Sequence, residues 1–497
     1  MEYCSTRDRK RNVSAAQAIA QGISVDGGLF TPVSLPRITP EQLREMMNMP
    51  YTQRAERVMG LFLPDYTAEE IRACVAQAYD VRKFGGTPAP LTRLDDQVSV
   101  LELWHGPTCA FKDMALQILP HLMTRALEKS DDAGEAVILV ATSGDTGKAA
   151  LEGFKDVPGT RMVVFYPEHG VSNMQKLQMR TQEGENVAVC AIEGNFDDAQ
   201  TGVKQIFTDP DMVQALKENG MQFSSANSIN WGRLLPQIVY YFSAYCDWAA
   251  EDPARFGTPI NFVVPTGNFG NILAGYYARC MGLPVNRLIC ASNANNVLTE
   301  FIRTGVYDRN RLFYATESPS MDILVSSNLE RLLFELSGHD SAQTAGYMQL
   351  LQKHGKYKIG TGLRNKMQQV FYGDCCTDAE GRAALGGVFA RYGYLMDTHT
   401  AVAYGVYQKY VRNTGDEAPT VIVSTASPYK FADAVLRSIG AQVPEDDFER
   451  LTLLSERSGT PVPAPIAGLQ TQTVRFNDRC GKDEMKEKVW DLLDLSR

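Results

Sequence analysis

The chain has 497 residues, with 49 basic and 58 acidic side chains and a formal net charge of −9 at neutral pH. At roughly 150 residues per domain this predicts two to four domains, each able to bury its own core. Apolar residues make up 44% and charged residues 22%, which excludes disordered and low-complexity classes, and the acidic balance argues against nucleic acid or an anionic membrane as partner. No apolar run reaches the about 18 residues of a membrane helix; the stretch 238–246 stops at Asp247. The N-terminal run is polar and charged without an apolar core segment, so a cytoplasmic location is expected. The 10 cysteines are scattered with no C-x-x-C, and the 6 histidines lack paired spacing. That pattern suits a reducing compartment and predicts neither a disulfide framework nor a metal site.

Residues 1–92 read as a mixed N-terminal segment. Val25, Asp26, Gly27, Gly28, Leu29 and Phe30 form a turn into an extended stretch ending at Pro32 and Pro36, and helical periods follow around 40–49 and 68–79. From about residue 98 short β-branched runs alternate with turns and helical periods. Strands are predicted at 136–140, 162–166, 260–264, 287–291 and 420–424, and helices at 147–154, 272–281 and 431–439. Such alternation predicts an α/β fold with parallel sheets covered by helices, with ligands beyond the carboxyl ends of the strands. Residues 93–441 are expected to form this region. The tail 442–497 is charged and poorly periodic, and is expected to be a surface extension.

Three turns carry chemistry. Gly267, Asn268, Phe269, Gly270 and Asn271 lie between a buried strand and a helix, where exposed N–H groups and the helix dipole form a site for a phosphate dianion; a plain tight connection is the competing reading. Thr142, Ser143, Gly144, Asp145, Thr146, Gly147 and Lys148 fail the P-loop pattern, because Thr142 and Ala149 stand where Gly and Ser or Thr are needed. What remains is a hydroxyl-rich helix N-terminus suited to a carboxylate, or ordinary capping by Ser143 or Asp145. In the third, His105 to Asp113, Lys112 enters a helical period (Leu116, Leu119, Leu122, Met123, Ala126, Leu127) that Pro120 should kink. A lysine sheltered beside Phe111 has a lowered pKa and can act as a Schiff-base amine or general base.

One chain that offers an anion cup, a carboxylate-binding turn and a sheltered lysine suggests pyridoxal 5'-phosphate as cofactor. Lys112 would hold its carbonyl carbon, the 267–271 turn its phosphate, and Ser143, Gly144, Asp145 and Thr146 the substrate carboxylate. A hydroxyl from the run Ser424, Thr425, Ala426, Ser427, Pro428 would meet the pyridine nitrogen.

The blocks HGPTCAFKD, SGDTG, NSINWGR, PTGNFGNILAGYYA, ICASNANNVLTEF, SPSMDILVSSNLERLLFEL, DTHTAVAYGVY and STASPYKFADAV, in this order, resemble the bacterial and fungal threonine synthase family, as does Ser5-Thr6-Arg7 with Asp26 to Phe30. The resemblance runs from about Tyr3 to Gly440. It implies a fold-type II, tryptophan synthase β-like enzyme, with two open twisted α/β lobes holding the cofactor between them and an N-terminal family-specific domain. The implied reaction converts O-phospho-L-homoserine and water to L-threonine and phosphate, in a monomer or homodimer without nucleic acid, membrane or metal. Carried over residue by residue, Lys112 matches the cofactor lysine, Gly267, Asn268, Phe269, Gly270 and Asn271 the cofactor-phosphate loop, and Thr425 the residue at the pyridine nitrogen. Asn227, Ser228 and Arg233 fall where the substrate phosphate is held, a task suited to the planar guanidinium fork. Asp145 stands where related loops commonly carry Asn, Asn271 where Asp is as common, and Cys109 reads as a buried packing residue. The basic stretch 8–13 has no evident role.

The implied mechanism moves protons at Cα and Cβ, with Lys112 as the natural carrier and the leaving phosphate as a second base. A phospho-lyase making 2-oxobutyrate from the same substrate is the alternative. A serine or threonine dehydratase fits less well, because the 227–233 segment implies a phosphorylated substrate. A non-catalytic binding protein would be expected to lack Lys112 or the phosphate turn.

Overall fold

The computed structural model describes residues 1–130, 134–142, 144–169 and 171–495. Two mostly parallel sheets form its frame. The larger has the strand order Phe371–Cys375, Val285–Ser292, Ile260–Pro265, Thr420–Ser424, Val98–Glu102 and Leu91–Arg93; only Leu91–Arg93 runs antiparallel to its neighbour. The smaller, all parallel, has the order Asp478–Gly481, Val187–Glu193, Thr160–Pro167, Glu135–Ala141 and Met221–Ser224. Runs such as Ile260–Pro265 and Thr420–Ser424 are buried at every position, the signature of strands covered on both faces.

Helix Trp231–Ala250 joins the parts. It is apolar nearly all round and buried along almost its whole length, so it is a core helix and not a surface one. The N-terminal segment docks on it through Tyr3 and Phe62, whose rings lie 5.4 and 5.6 Å from Trp231, and through Arg54, which donates to Asp247 at 2.6 Å. Helix Tyr51–Phe62 supplies Arg54 and Phe62 to this contact. The basic stretch 8–13 lies mostly exposed and ends in the edge strand Asn12–Val13.

Three expectations need correction. The boundary at 92–93 falls inside the strand Leu91–Arg93, which pairs with Val98–Glu102 and so belongs to the large sheet. The tail 442–497 is built into both lobes. Leu451 and Leu454 of helix Asp447–Ser458, with Ile466 and Leu469, pack in the large-lobe core. Strand Asp478–Gly481 adds to the small sheet, and Met485 and Val489 of helix Met485–Leu492 pack beneath it. Its strand and helices are short and half-polar, so they gave no clear periodicity. Pro120 does not kink one helix: the chain forms Asp113–Leu116, breaks, and starts again at Leu119–Glu128 with proline in its first turn, where a missing N–H leaves no bond unmade.

Candidate active site

Loops at the carboxyl ends of strands from both sheets meet in one place. The loop after Val98–Glu102 carries Lys112, the N-cap of helix Asp113–Leu116. The loop after Glu135–Ala141 leads into helix Asp145–Phe154. The two helices touch at Gly153, where a Cβ would lie 1.9 Å from the carbonyl oxygen of Leu116. Only glycine permits that approach, which packs the last turn of Asp145–Phe154 against the end of Asp113–Leu116.

The Lys112 Nζ lies 3.7 Å from Asp145 Oδ2 and donates to Ser320 Oγ at 3.4 Å. Burial pushes its pKa down, and the charges of Lys430 and Arg233 push the same way, against the pull of Asp145. Asp145 in turn lies 2.7 Å from Lys430 Nζ and accepts from Gln175 Nε2 at 3.0 Å. Burial alone would raise its pKa, but Lys430 and Lys112 outweigh that and hold the carboxyl well below the usual range. Lys430 also donates to the carbonyl of Thr108 at 3.0 Å.

The turn expected to receive a carboxylate therefore brings one of its own into the site. Asp145 does not fit the role of carboxylate ligand, because like charges repel. Ser143 lies outside the described residues. Capping falls to Thr142, whose Oγ1 accepts the N–H groups of Gly144 and Gly147 at 3.0 and 2.9 Å.

The glycine-containing turn lies across from Lys112. Phe269, left-handed at φ 63°, starts helix Gly270–Cys280, whose first N–H groups have no helical partner. Asn271 is buried, and its Oδ1 accepts from the hydroxyls of Tyr240 and Tyr241 at 2.6 and 2.8 Å, leaving Nδ2 without a partner. A buried amide donor held that way matches an absent phosphate oxygen. Thr425 is buried at the end of Thr420–Ser424; its carbonyl accepts the N–H of Phe111 at 2.8 Å.

Arg233, in the first turn of Trp231–Ala250, is 4% exposed. It donates Nη1 to the carbonyl of Ala226 at 3.0 Å, its Nε is unpartnered, and among the described residues it has no carboxylate partner. Burial brings its pKa down to about 10, still cationic at neutral pH. Fully buried unpaired charge is costly, so this guanidinium fits an anionic ligand. Asn328 ties the segment to the glycine turn: its Nδ2 donates to the carbonyl of Ser228 at 3.0 Å and its N–H to that of Asn268 at 3.1 Å. Ser326 Oγ donates to the Gly267 carbonyl at 2.7 Å. Asn227 is exposed; its N–H donates to Ser225 Oγ at 3.2 Å and its carbonyl accepts the N–H of Asn230 at 3.0 Å.

Ser320, Asn328, His399 and Lys430 were not singled out from sequence, although all lie within the motif blocks. No local turn chemistry marks them, and the fold brings them in from far along the chain. Cys109 is a buried thiol pushed up to about 12 by burial, consistent with packing. Among the described residues no helix is long and apolar enough to cross a membrane, and no group of three or more His, Cys, Asp and Glu could hold a metal ion.

Known proteins match this frame throughout. The family profile "Threonine synthase N terminus" covers residues 2–79, "Pyridoxal-phosphate dependent enzyme" residues 82–353, and "Threonine synthase, C-terminal" residues 400–484. Human "Threonine synthase-like 1" is 39% identical over 92% of this chain and 64% of its own, so the chain spans less than two thirds of that relative's length. The threonine synthase of Pseudomonas aeruginosa is 37% identical over 96% of this chain and 99% of its own. The crystal structure of a PLP-bound threonine synthase from Brucella melitensis superposes with a TM-score of 0.87 at 37% identity, covering 99% of both chains. The chain belongs to the threonine synthase family of pyridoxal-phosphate dependent enzymes.

Proposed function

We propose that the protein binds pyridoxal 5'-phosphate and converts O-phospho-L-homoserine and water to L-threonine and phosphate, as a carbon–oxygen lyase acting on a phosphate ester. One observation carries the reading: a sheltered Lys112 amine beside a buried Arg233 that lacks an anionic partner. The family membership and the unpartnered Asn271 amide support it.

When bound, the cofactor supplies a sink for negative charge developing at the substrate's Cα. Lys112 would hold its carbonyl carbon. Gly267, Asn268, Phe269, Gly270 and Asn271 would hold its phosphate, and the Thr425 hydroxyl its ring nitrogen. Arg233, with Asn227 and Ser228, would take the substrate phosphate; the backbone N–H of Thr146 would receive its carboxylate. The Lys112 amine, whose charged form burial disfavours, would take the Cα proton and return protons where the product needs them; positioned transfer of this kind contributes about 10²–10⁴-fold. Arg233 binds the leaving phosphate dianion and lowers the barrier to its departure. Burial of Asp145, Arg233 and Thr425 limits access of water around the one molecule that must add at Cβ. A cytoplasmic monomer or homodimer completes the proposal.

Incubation of the purified protein with phosphohomoserine, followed by analysis of the products, tests it. Threonine with equimolar phosphate supports the synthase; 2-oxobutyrate would identify a phospho-lyase; no phosphate release would remove both.

A further inference from the structure

We infer that Lys430 is a positioning residue: it fixes the Asp145 carboxylate so that one oxygen is bound away from the reacting amine and the other faces Lys112. The inference rests on the reading of Lys112 as the cofactor lysine.

The geometry is a three-segment clamp. Lys430 lies in the short helix Pro428–Phe431, next to the strand end that bears Thr425. Its side chain is 1% exposed, and its Nζ reaches Asp145 Oδ1 at 2.7 Å and the Thr108 carbonyl at 3.0 Å. Thr108 precedes Lys112 in the same loop, and Asp145 begins a small-lobe helix. One ammonium group, with three donors to place, thus fastens the Lys112 loop, the small lobe and the Thr425 turn together. Asp145 Oδ1 is filled by Lys430 and Gln175. Oδ2 is left to Lys112 at 3.7 Å and Ser320 Oγ at 3.4 Å.

Two lysines therefore share one carboxylate unequally. Lys430 has the short contact, a carbonyl acceptor, and the charge of Asp113 nearby. Lys112 has the long contact, and Lys430 and Arg233 face it with like charge. Of the other groups around Lys430, Cys109 stays a neutral thiol, and Lys148 is occupied by Glu152 at 3.1 Å. Burial, with the like charges of Lys430 and Arg233, disfavours the charged form of Lys112. Without Lys430, Asp145 is free to swing fully onto Lys112 and hold it charged.

The test is the pH titration of the visible absorption of bound pyridoxal phosphate in the wild type, Lys430→Gln, Asp145→Asn and the double variant. Lys430→Gln keeps a hydrogen-bond donor and removes the charge. It is expected to move the spectral midpoint up by roughly one pH unit or more, a tenfold change in proton affinity. Asp145→Asn is expected to move it down. In the Asp145→Asn background the effect of Lys430→Gln should fall to less than half, because part of it acts through the carboxylate. An unchanged midpoint in Lys430→Gln, or equal shifts in both backgrounds, overturns the inference. If Lys430→Gln does not fold by circular dichroism, Asp145→Asn decides alone, since a midpoint left in place there removes the premise. A wild-type protein that gains no visible band with pyridoxal phosphate sinks the Lys112 reading itself, a separate outcome.

Discussion

Ser320 donates its main-chain N–H to Nε2 of His399 at 3.1 Å. An accepting Nε2 places the imidazole proton on Nδ1, which faces Asp397 Oδ2 at 2.7 Å. The ring is thus a neutral spacer, buried against Phe431, and it holds Ser320 where its hydroxyl meets both Lys112 and Asp145. His399→Ala leaves that N–H without its acceptor, at a cost of about 1–3 kcal/mol. The expected outcome is a lower melting temperature and a lower kcat. A melting curve that superposes on the wild type would show that Ser320 is held by other means.

Lys112→Ala keeps the fold, because the side chain's contacts are long: a 3.4 Å hydrogen bond, a 3.7 Å ion contact and an ammonium 5.6 Å from the Phe111 ring centre. Turnover is expected to drop at least 10²–10⁴-fold through loss of the proton carrier. Borohydride reduction of the wild type with pyridoxal phosphate should label the peptide containing Lys112. Label on another peptide, or threonine formed by the variant at an appreciable rate, rules out the assignment.

Arg233→Met separates stability from function. Removing a buried guanidinium with no carboxylate partner relieves a desolvation cost, so the melting temperature is expected to hold or rise. Activity moves the other way. Charge-assisted hydrogen bonds contribute about 1.5–3 kcal/mol, so kcat/KM for the phosphorylated substrate should fall about 10- to 150-fold. A variant that loses stability and keeps kcat/KM would make Arg233 a structural residue.

Gly153→Ala tests the helix contact. A Cβ at 1.9 Å from the Leu116 carbonyl cannot be accommodated without moving one helix, and overpacking of this kind typically costs about 1–3 kcal/mol. The variant should melt earlier and turn over more slowly, since the starts of these helices carry Lys112 and Asp145. Unaltered melting and rate would mean that the two helices slide apart freely.

Asp113 sets a pH dependence of stability. Burial raises its carboxyl to about 6, against the bonds from the Thr108 N–H and hydroxyl at 2.8 and 2.7 Å that favour the charged form. A folded pKa above the unfolded one means the folded state holds the proton more tightly. Its contribution is complete below about pH 4, and is lost as pH rises through about 6. Over roughly two units this amounts to about 3 kcal/mol. The stability of Asp113→Asn relative to the wild type should improve across that window, and a flat difference would contradict the shift.

Much of the site was legible because turns advertise their chemistry locally. Lys112 at a helix entrance, the 267–271 turn and Thr425 at a strand end all lie where strand–turn–helix patterning put them. What stayed hidden depends on distance. Lys430 meets Asp145 across most of the chain, and the sequence near either residue carries no sign of the other. Helix Tyr51–Phe62 was missed because its mean polarity masks a buried face of Ala55, Val58, Met59 and Phe62. The strand Asp478–Gly481 holds only four residues and has one buried position, too short for a period of two to register.

That late strand has a consequence for the order in which the protein can be made. Cys480 meets Cys190 from 290 residues further along the chain. Throughout synthesis of the intervening polypeptide, Val187–Glu193 has an open hydrogen-bonding edge on a sheet already formed by its neighbours. An emerging chain therefore carries an unprotected template for mispairing until the final strand leaves the ribosome and closes it. Premature termination before Asp478 is expected to yield a fragment that aggregates more readily than the full chain.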